Sequence, residues 1–127
     1  MARSFRPIAL LAARAADRKK GENILLLDLR KKSGLADYLL LVNVLSPTHL
    51  ESIEQEINKS LGIAGVPLMH WEGSDSALWR VFDYGGLIVH LMHERAREFY
   101  QLDKLHHGSP HLKWQNGLKP RRKRHVA

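Results

Sequence analysis

Residues 79–105 read WRVFDYGGLIVHLMHERAREFYQLDKL, and this stretch decides the fold. Its first six residues predict a strand with odd-numbered side chains on one face and even-numbered side chains on the other. Gly85-Gly86 predicts a two-residue hairpin turn, because glycine accepts the positive φ that such turns need. The apolar run 87–92 predicts a second strand covered on both faces. Glu94 then begins a predicted helix.

The rest of the chain extends this pattern to an α-β-β-α-β-β-β-α order. Ser46-Pro47 marks a helix start, since serine caps helices and proline is preorganised for the first helical position. Strands that follow one another without a crossover helix cannot all be parallel. The sequence therefore predicts a single α/β domain with one mixed β-sheet and flanking helices. The other predicted elements are a helix over 7–20 and strands over 23–29, 36–45 and 66–71.

Composition limits the class of protein. A chain of 127 residues with 44% hydrophobic residues is typical of one globular domain. The absence of cysteine excludes disulfides and thiolate metal sites. Apolar runs such as Ile24–Leu27 are too short to span a bilayer. We therefore expect a cytoplasmic protein that does not associate with membranes.

The N-terminal segment has two interpretations. Three arginines without an acidic residue in the first sixteen positions bear some resemblance to an organelle transit peptide. The apolar stripe of Ile8, Leu11, Ala12 and Ala15, followed by Gly21, predicts instead a helix of the folded domain. We favour the helix.

The formal charge of +7 belongs to the C-terminal segment. Residues 108–127 contain six basic and no acidic residues, which leaves 14 bases and 13 acids in residues 1–107. We therefore predict a compact domain over 1–107 and a basic, flexible tail over 108–127. Its densest cluster is a candidate for contacts with rRNA phosphates, although a solvated tail explains the charge equally well. This cluster consists of Arg121, Arg122, Lys123 and Arg124.

No catalytic constellation emerges from the motifs. His90 and His93 are three positions apart in a predicted strand, so their side chains point to opposite faces and do not suit a shared metal. Gly73-Ser74-Asp75 is similar to the start of a nucleotidyltransferase site, but that chemistry needs several carboxylates converging on magnesium. The next strand offers only Asp83. We predict no enzyme, no cofactor and no metal, with a small nucleotidyltransferase-like, phosphate-handling enzyme as the alternative.

Several polar and aromatic residues of the final hairpin and helix suit either of two roles. Asp83, Tyr84, Arg97 and Tyr100 combine contact area with hydrogen-bonding ends, as residues that anchor interfaces do. A core tyrosine with a satisfied hydroxyl and a surface helical arginine are equally compatible with the pattern.

Short motifs in a fixed order identify a family. Over about residues 8–110 the order resembles that of the ribosomal silencing factor family, also called Iojap-related proteins. Two residues depart from that pattern. Gly86 stands where the family commonly has an acidic residue after the D-Y-G turn, and His106 stands where it commonly has tryptophan after the last helix. The basic tail also extends beyond the pattern. The matching motifs are Leu27-Asp28-Leu29, Ala36-Asp37-Tyr38, Ser46–His49, His70–Gly73, Trp79–Gly85, Val89-His90 and Ala96–Tyr100.

The resemblance implies a function that composition does not. Members have a nucleotidyltransferase-like α/β fold without that activity, and they are often homodimers. They bind the large ribosomal subunit through ribosomal protein L fourteen and obstruct joining of the small subunit. Translation then falls, notably when nutrients are scarce.

On this basis we expect the final hairpin and helix to supply the contact residues. We expect Tyr84→Ala or Arg97→Ala to leave a folded protein that no longer blocks subunit joining. A different hypothesis is general RNA binding by the tail, which predicts that truncation near Gly108 removes all ribosome affinity. The nominated partner-binding residues are Trp79, Asp83, Tyr84, His90, Arg97 and Tyr100.

Overall fold

A computed structural model describes residues 4–32, 34, 36–73, 79–100 and 108–115. The element order is the predicted one. The helices are α1 (Arg6–Arg18), α2 (Pro47–Ile63) and α3 (Glu94–Tyr100). The strands are β1 (Glu22–Asp28), β2 (Tyr38–Val44), β3 (His70–Gly73), β4 (Trp79–Asp83) and β5 (Leu87–His93).

The five strands form one mixed sheet in the order β1-β2-β5-β4-β3. The central pair, β2 and β5, is parallel, and every other neighbouring pair is antiparallel. The α2 helix lies in the chain between β2 and β5, as a connection between parallel strands requires. The predicted mixed sheet with flanking helices is confirmed.

Helices α1 and α2 pack together on one face of the sheet. The buried residues of α1 are mostly alanines, and small side chains let a helix approach its neighbours closely. On α2, Leu50, Ile53, Ile57 and Leu61 form a buried stripe at helical spacing. The helix begins as predicted, because Ser46 Oγ accepts a hydrogen bond from the His49 N–H at 3.0 Å.

The opposite face of the sheet carries a second, smaller apolar cluster. Leu27, Leu29, Leu39 and Leu41 are buried there, and Ile88 packs against them. Because both faces are covered, every residue of β2 is buried. Its apolar sequence, interrupted in this strand only by Asn43, thus reflects a central strand.

The third strand begins later than the predicted range 66–71. The Val66 N–H donates to the Leu61 carbonyl at 2.8 Å, so this buried residue closes the end of α2. Pro67 follows and has no N–H for a sheet ladder. The Met69 N–H donates to the Asp83 carbonyl of β4 at 2.9 Å, and β3 pairs with β4 from His70 to its last residue, Gly73. The turn expected at Gly73-Ser74-Asp75 otherwise lies outside the described residues.

Residues 110–114 continue along the outer edge of β1. The Asp28 N–H donates to the Pro110 carbonyl and the Leu112 N–H to the Leu26 carbonyl, both at 2.8 Å. Trp114 packs against the main core, and its carbonyl accepts from Arg14 Nε at 2.9 Å. The division at residue 107 remains a prediction, but the first part of the expected flexible tail lies on the domain.

Within the part of the chain that the structure describes, no helix has the length and apolar character needed to cross a membrane.

Candidate functional site

The turn between β4 and β5 is held by a side chain as well as by its backbone. The Tyr84 N–H donates to the Leu87 carbonyl at 2.9 Å, which closes a two-residue turn. Asp83 Oδ1 accepts from the Gly85 N–H at 2.8 Å. Gly85 has a φ of 95°, whereas Gly86 has no positive φ. Only the first of the two glycines is therefore required by backbone conformation, as in a type II′ turn.

Gly86 is required by packing instead. A Cβ at this position would lie 2.2 Å from Cδ2 of Phe5, the residue that precedes α1. The Gly86 carbonyl also accepts from the Asp37 and Tyr38 N–H groups, each at 3.0 Å, so it joins the turn to the start of β2. The Phe5 ring thus occupies the space that any side chain at position 86 would need.

This packing makes Gly86→Asp costly. We expect it to reduce the free energy of unfolding by about 1–3 kcal/mol, because the new side chain must displace the Phe5 ring. In a Phe5→Ala background the same change should cost clearly less, since the two residues are in direct contact. Urea unfolding followed by circular dichroism measures both.

Gly34→Asp is the matched control, since no heavy atom lies within 4 Å of a Cβ at Gly34. We expect that variant to stay within about 0.5 kcal/mol of wild type. Equal costs for the two glycine substitutions, or full additivity with Phe5→Ala, would contradict the packing role of Gly86.

The even-numbered residues around β4 face α2. Phe82 is part of the buried core, and Arg80 forms a salt bridge with Glu54. The Tyr84 hydroxyl donates to Asn58 Oδ1, and only 3% of Tyr84 is exposed. Burial, followed by the nearby charge of Glu54, raises the pKa of Tyr84, so its hydroxyl stays protonated and able to donate. This arrangement favours the scaffold interpretation of Tyr84.

The odd-numbered residues lie on the other face, as the alternation predicts. His90 in β5 is directly opposite Val81, and Trp79 and Asp83 are its diagonal neighbours on the adjacent strand. All four residues are half-buried. We call these four residues the hairpin strip. It combines three of the six nominated contact residues on the sheet face that α1 and α2 leave uncovered.

Arg97 takes a structural position away from the hairpin strip. Its side chain is only 5% exposed. Nη1 donates to the Asn23 carbonyl at 2.6 Å and to Asn43 Oδ1 at 3.0 Å. These contacts connect α3 to β1 and β2, and they favour the scaffold interpretation of Arg97.

The structure does not describe the remaining candidate residues. The side chain of the nominated residue Tyr100 is outside the described residues. The same holds for His106 and for the basic cluster 121–124. Their roles stay predictions.

Some residues that shape this region were not singled out from the sequence. Phe5 packs against the turn, and Glu54 forms a salt bridge with Arg80. Asn58 accepts a hydrogen bond from the Tyr84 hydroxyl. Glu54 and Asn58 lie off the apolar stripe of α2, where polar side chains are usually solvated. Only the topology, which places α2 against β4, gives them partners.

The side chains of the hairpin strip are of types that suit recognition. It offers one indole, one imidazole and one carboxylate next to apolar side chains, and the Asp83 carboxylate already supports the turn. In the described ranges, no three histidine, aspartate or glutamate side chains are grouped closely enough to hold a metal ion. A half-buried aromatic residue beside polar groups suits a protein contact.

Comparison with known proteins gives a consistent result. The family model for ribosomal silencing factor during starvation, RsfS, matches residues 2–126 and so includes most of the basic segment. The ribosomal silencing factor of Bacillus subtilis is 36% identical over 103 residues, covering 81% of this chain and 87% of that protein. That of Halalkalibacterium halodurans is 32% identical over 100 residues, covering 79% and 86%.

Solved structures support the same grouping. A crystal structure of a Chromobacterium violaceum protein superposes with a TM-score of 0.76 at 27% identity, covering 81% of this chain and 86% of that one. A Bacillus halodurans structure gives 0.73 at 29% identity, covering 85% and 98%. The fold and the sequence thus point to the same relatives.

Proposed function

Because this chain belongs to the ribosomal silencing factor family, we propose that it represses translation by binding the large ribosomal subunit and blocking the small subunit. The proposed attachment point is ribosomal protein L fourteen, and the proposed site of action is the cytoplasm. Repression needs no chemical step, since a bound domain can occupy a surface that the other subunit must reach. Pairing of two copies of the chain is part of the proposal.

The hairpin strip is the observation that supports the proposed contact surface. Trp79, Asp83 and His90 come from two neighbouring strands, so the sheet ladder holds them in a fixed arrangement. They lie on the face away from α1 and α2 and keep part of their surface accessible. Tyr84 and Arg97 support this arrangement from within the domain.

Two assays test the proposal directly. Co-sedimentation of the protein with separated ribosomal subunits should show binding to the large subunit, and light scattering should show less subunit joining. Trp79→Ala or His90→Ala should weaken binding by about 2 kcal/mol, roughly thirtyfold, if these residues are anchors.

Leu45→Ala is a control on an exposed apolar residue outside the hairpin strip. It should leave both assays unchanged. Equal binding to both subunits, or to neither, would refute the proposal itself. Full activity of correctly folded hairpin-strip variants would show instead that the contact surface lies elsewhere.

A separate prediction concerns the basic tail. Residues 110–114 pack on the domain. A chain that ends at Gln115 therefore keeps these contacts and loses most of the tail's positive charge. This truncation removes five of the six basic residues. We expect weaker ribosome binding that is less sensitive to salt but not abolished, because each lost phosphate contact reduces the salt slope by about 0.7–0.9.

The matched control replaces the four residues of the cluster 121–124 with glutamine and keeps the chain length. It should flatten the salt dependence nearly as much as the truncation does. An unchanged slope in both variants would show that the tail only solubilises the protein, and complete loss of binding would favour general RNA binding by the tail.

A further inference from the structure

The near-neutral charge of residues 1–107 conceals a strong asymmetry. Residues 1–34 contain nine basic and three acidic residues, whereas residues 35–107 contain five basic and ten acidic residues. The described residues of the first part form α1, β1 and the turn after β1. Because β1 lies at one end of the strand order, that end of the sheet carries an excess of positive charge and the rest of the domain an excess of negative charge.

Exposed lysines lie at both ends of β1. Lys19 and Lys20 connect α1 to β1, and Lys31 and Lys32 follow β1 in the turn that leads to β2. A strand of seven residues is roughly 20 Å long. The two pairs of lysines therefore border one edge of the sheet at about that separation.

The segment 110–114 adds a fifth lysine along the same edge. It runs antiparallel to β1, and Lys113 is exposed on it. Ile24 and Gln115 line one shallow groove, so the segment ends beside the first half of β1. From there the chain continues into residues 116–127, which contain five further basic residues. We call the five exposed lysines the basic edge; they are Lys19, Lys20, Lys31, Lys32 and Lys113.

Acidic groups beside this edge are few and partly compensated. The Asp28 carboxylate accepts hydrogen bonds from Arg30 through both oxygens, and Nη2 of Arg30 lies 2.7 Å from Oδ2. Asp17 and Glu22 are half-buried, whereas Asp37 is exposed at the start of β2. The edge thus keeps an excess of positive charge.

A row of lysines suits a polyanion, because ammonium groups neutralise phosphates and release the counterions bound to them. Four large apolar side chains are exposed in the described residues, and none of them lies on β1 or on residues 108–115. A surface that enters lipid needs such side chains next to its basic ones. The composition of the edge therefore favours a nucleic acid over a membrane.

We propose that the basic edge is a second contact surface, which binds the phosphate backbone of RNA. It acts together with the tail, since the chain enters the tail from the same side of the sheet. The choice of RNA rests on the proposed function, because the large ribosomal subunit supplies the polyanion. The hairpin strip is on β4 and β5, so one molecule can bind a protein and RNA at the same time.

RNA binding without ribosomes tests the proposal. The starting protein is the full-length chain with glutamine at positions 121–124, which removes the tail's densest charge. Fluorescence anisotropy measures its affinity for a short labelled RNA hairpin over a range of salt concentrations. Lys31→Gln with Lys32→Gln should weaken binding and reduce the salt slope by about 1.4–1.8, because each lost phosphate contact contributes about 0.7–0.9.

Two further pairs of substitutions make the test specific. Lys19→Gln with Lys20→Gln, at the other end of β1, should reduce the slope by a similar amount. Lys59→Gln with Arg95→Gln is the matched control, because it removes two exposed basic residues on α2 and α3. The control should leave the slope unchanged. Circular dichroism should show folded proteins throughout, as is usual for surface substitutions.

The same variants measure the contribution of the basic edge on the ribosome. Lys31→Gln with Lys32→Gln should weaken co-sedimentation with the large subunit and make it less sensitive to salt. Lysine-dependent binding of the RNA hairpin without any binding of the large subunit would refute the proposed function and support the basic edge. The two proposals can therefore fail separately.

Three results would overturn the proposal. One is a salt slope that neither lysine pair of the basic edge changes. Another is an equal reduction in the control pair, which would show an effect of net charge alone. The third is lysine-dependent binding to vesicles that contain phosphatidylserine without binding to RNA, which would assign the edge to a membrane surface.

Discussion

Tyr84→Ala is expected to lower the free energy of unfolding by about 3–5 kcal/mol, the usual cost of removing a large buried aromatic side chain. Tyr84 packs in the main core between the sheet and α2, and its hydroxyl donates to Asn58 Oδ1. Tyr84→Phe keeps the ring and should cost only about 0.5–1.5 kcal/mol, the contribution of one hydrogen bond. Urea unfolding followed by circular dichroism distinguishes the two variants.

This result decides how a loss of function at Tyr84 is understood. The sequence led us to expect that Tyr84→Ala would stay folded and fail to block subunit joining. The buried position predicts instead that instability accompanies any loss of activity. If Tyr84→Ala has wild-type stability and fails to bind the large subunit, the residue is a contact anchor and the scaffold interpretation is wrong.

The second large effect is expected at Arg97. Arg97→Ala should destabilise the fold by about 2–3 kcal/mol, because hydrogen bonds to charged groups contribute about 1.5–3 kcal/mol each. The substitution also leaves the buried Asn43 side chain without the Arg97 bond. Thermal or urea unfolding measures the change.

Arg95→Ala is the control, because Arg95 is exposed on the same helix. It should shift stability by no more than about 0.5 kcal/mol. An Asn43→Ala background should reduce the cost of Arg97→Ala, since the two side chains share a hydrogen bond. Equal effects of Arg95→Ala and Arg97→Ala would contradict the structural role of Arg97.

Much of the fold was predictable because local signals agree with the tertiary structure. Three local signals each specify the boundary of a helix or strand to within a few residues. They are the cap at Ser46, the apolar stripe of α2 and the glycine turn. The late start of β3 was not predictable from hydrophobicity alone. Val66 is apolar and suits a strand, but it closes α2 instead, and Pro67 delays the sheet ladder.

The candidate site was predictable in part. Alternation along β4 placed Trp79 and Asp83 on one face and Tyr84 on the other, and this grouping is correct. The sequence did not show which face α2 covers, so Tyr84 was nominated together with its opposite neighbours. Arg97 was ambiguous for a similar reason, because its partner Asn43 is 54 positions away in the chain.

The segment 110–112 protects one end of the sheet from pairing with other chains. A sheet with two open edges can add copies at both ends and grow into a filament, which is a common route to aggregation. Here β1 is already paired with residues of its own chain. An incoming strand could therefore pair at this end of the sheet only after residues 110–112 had left β1.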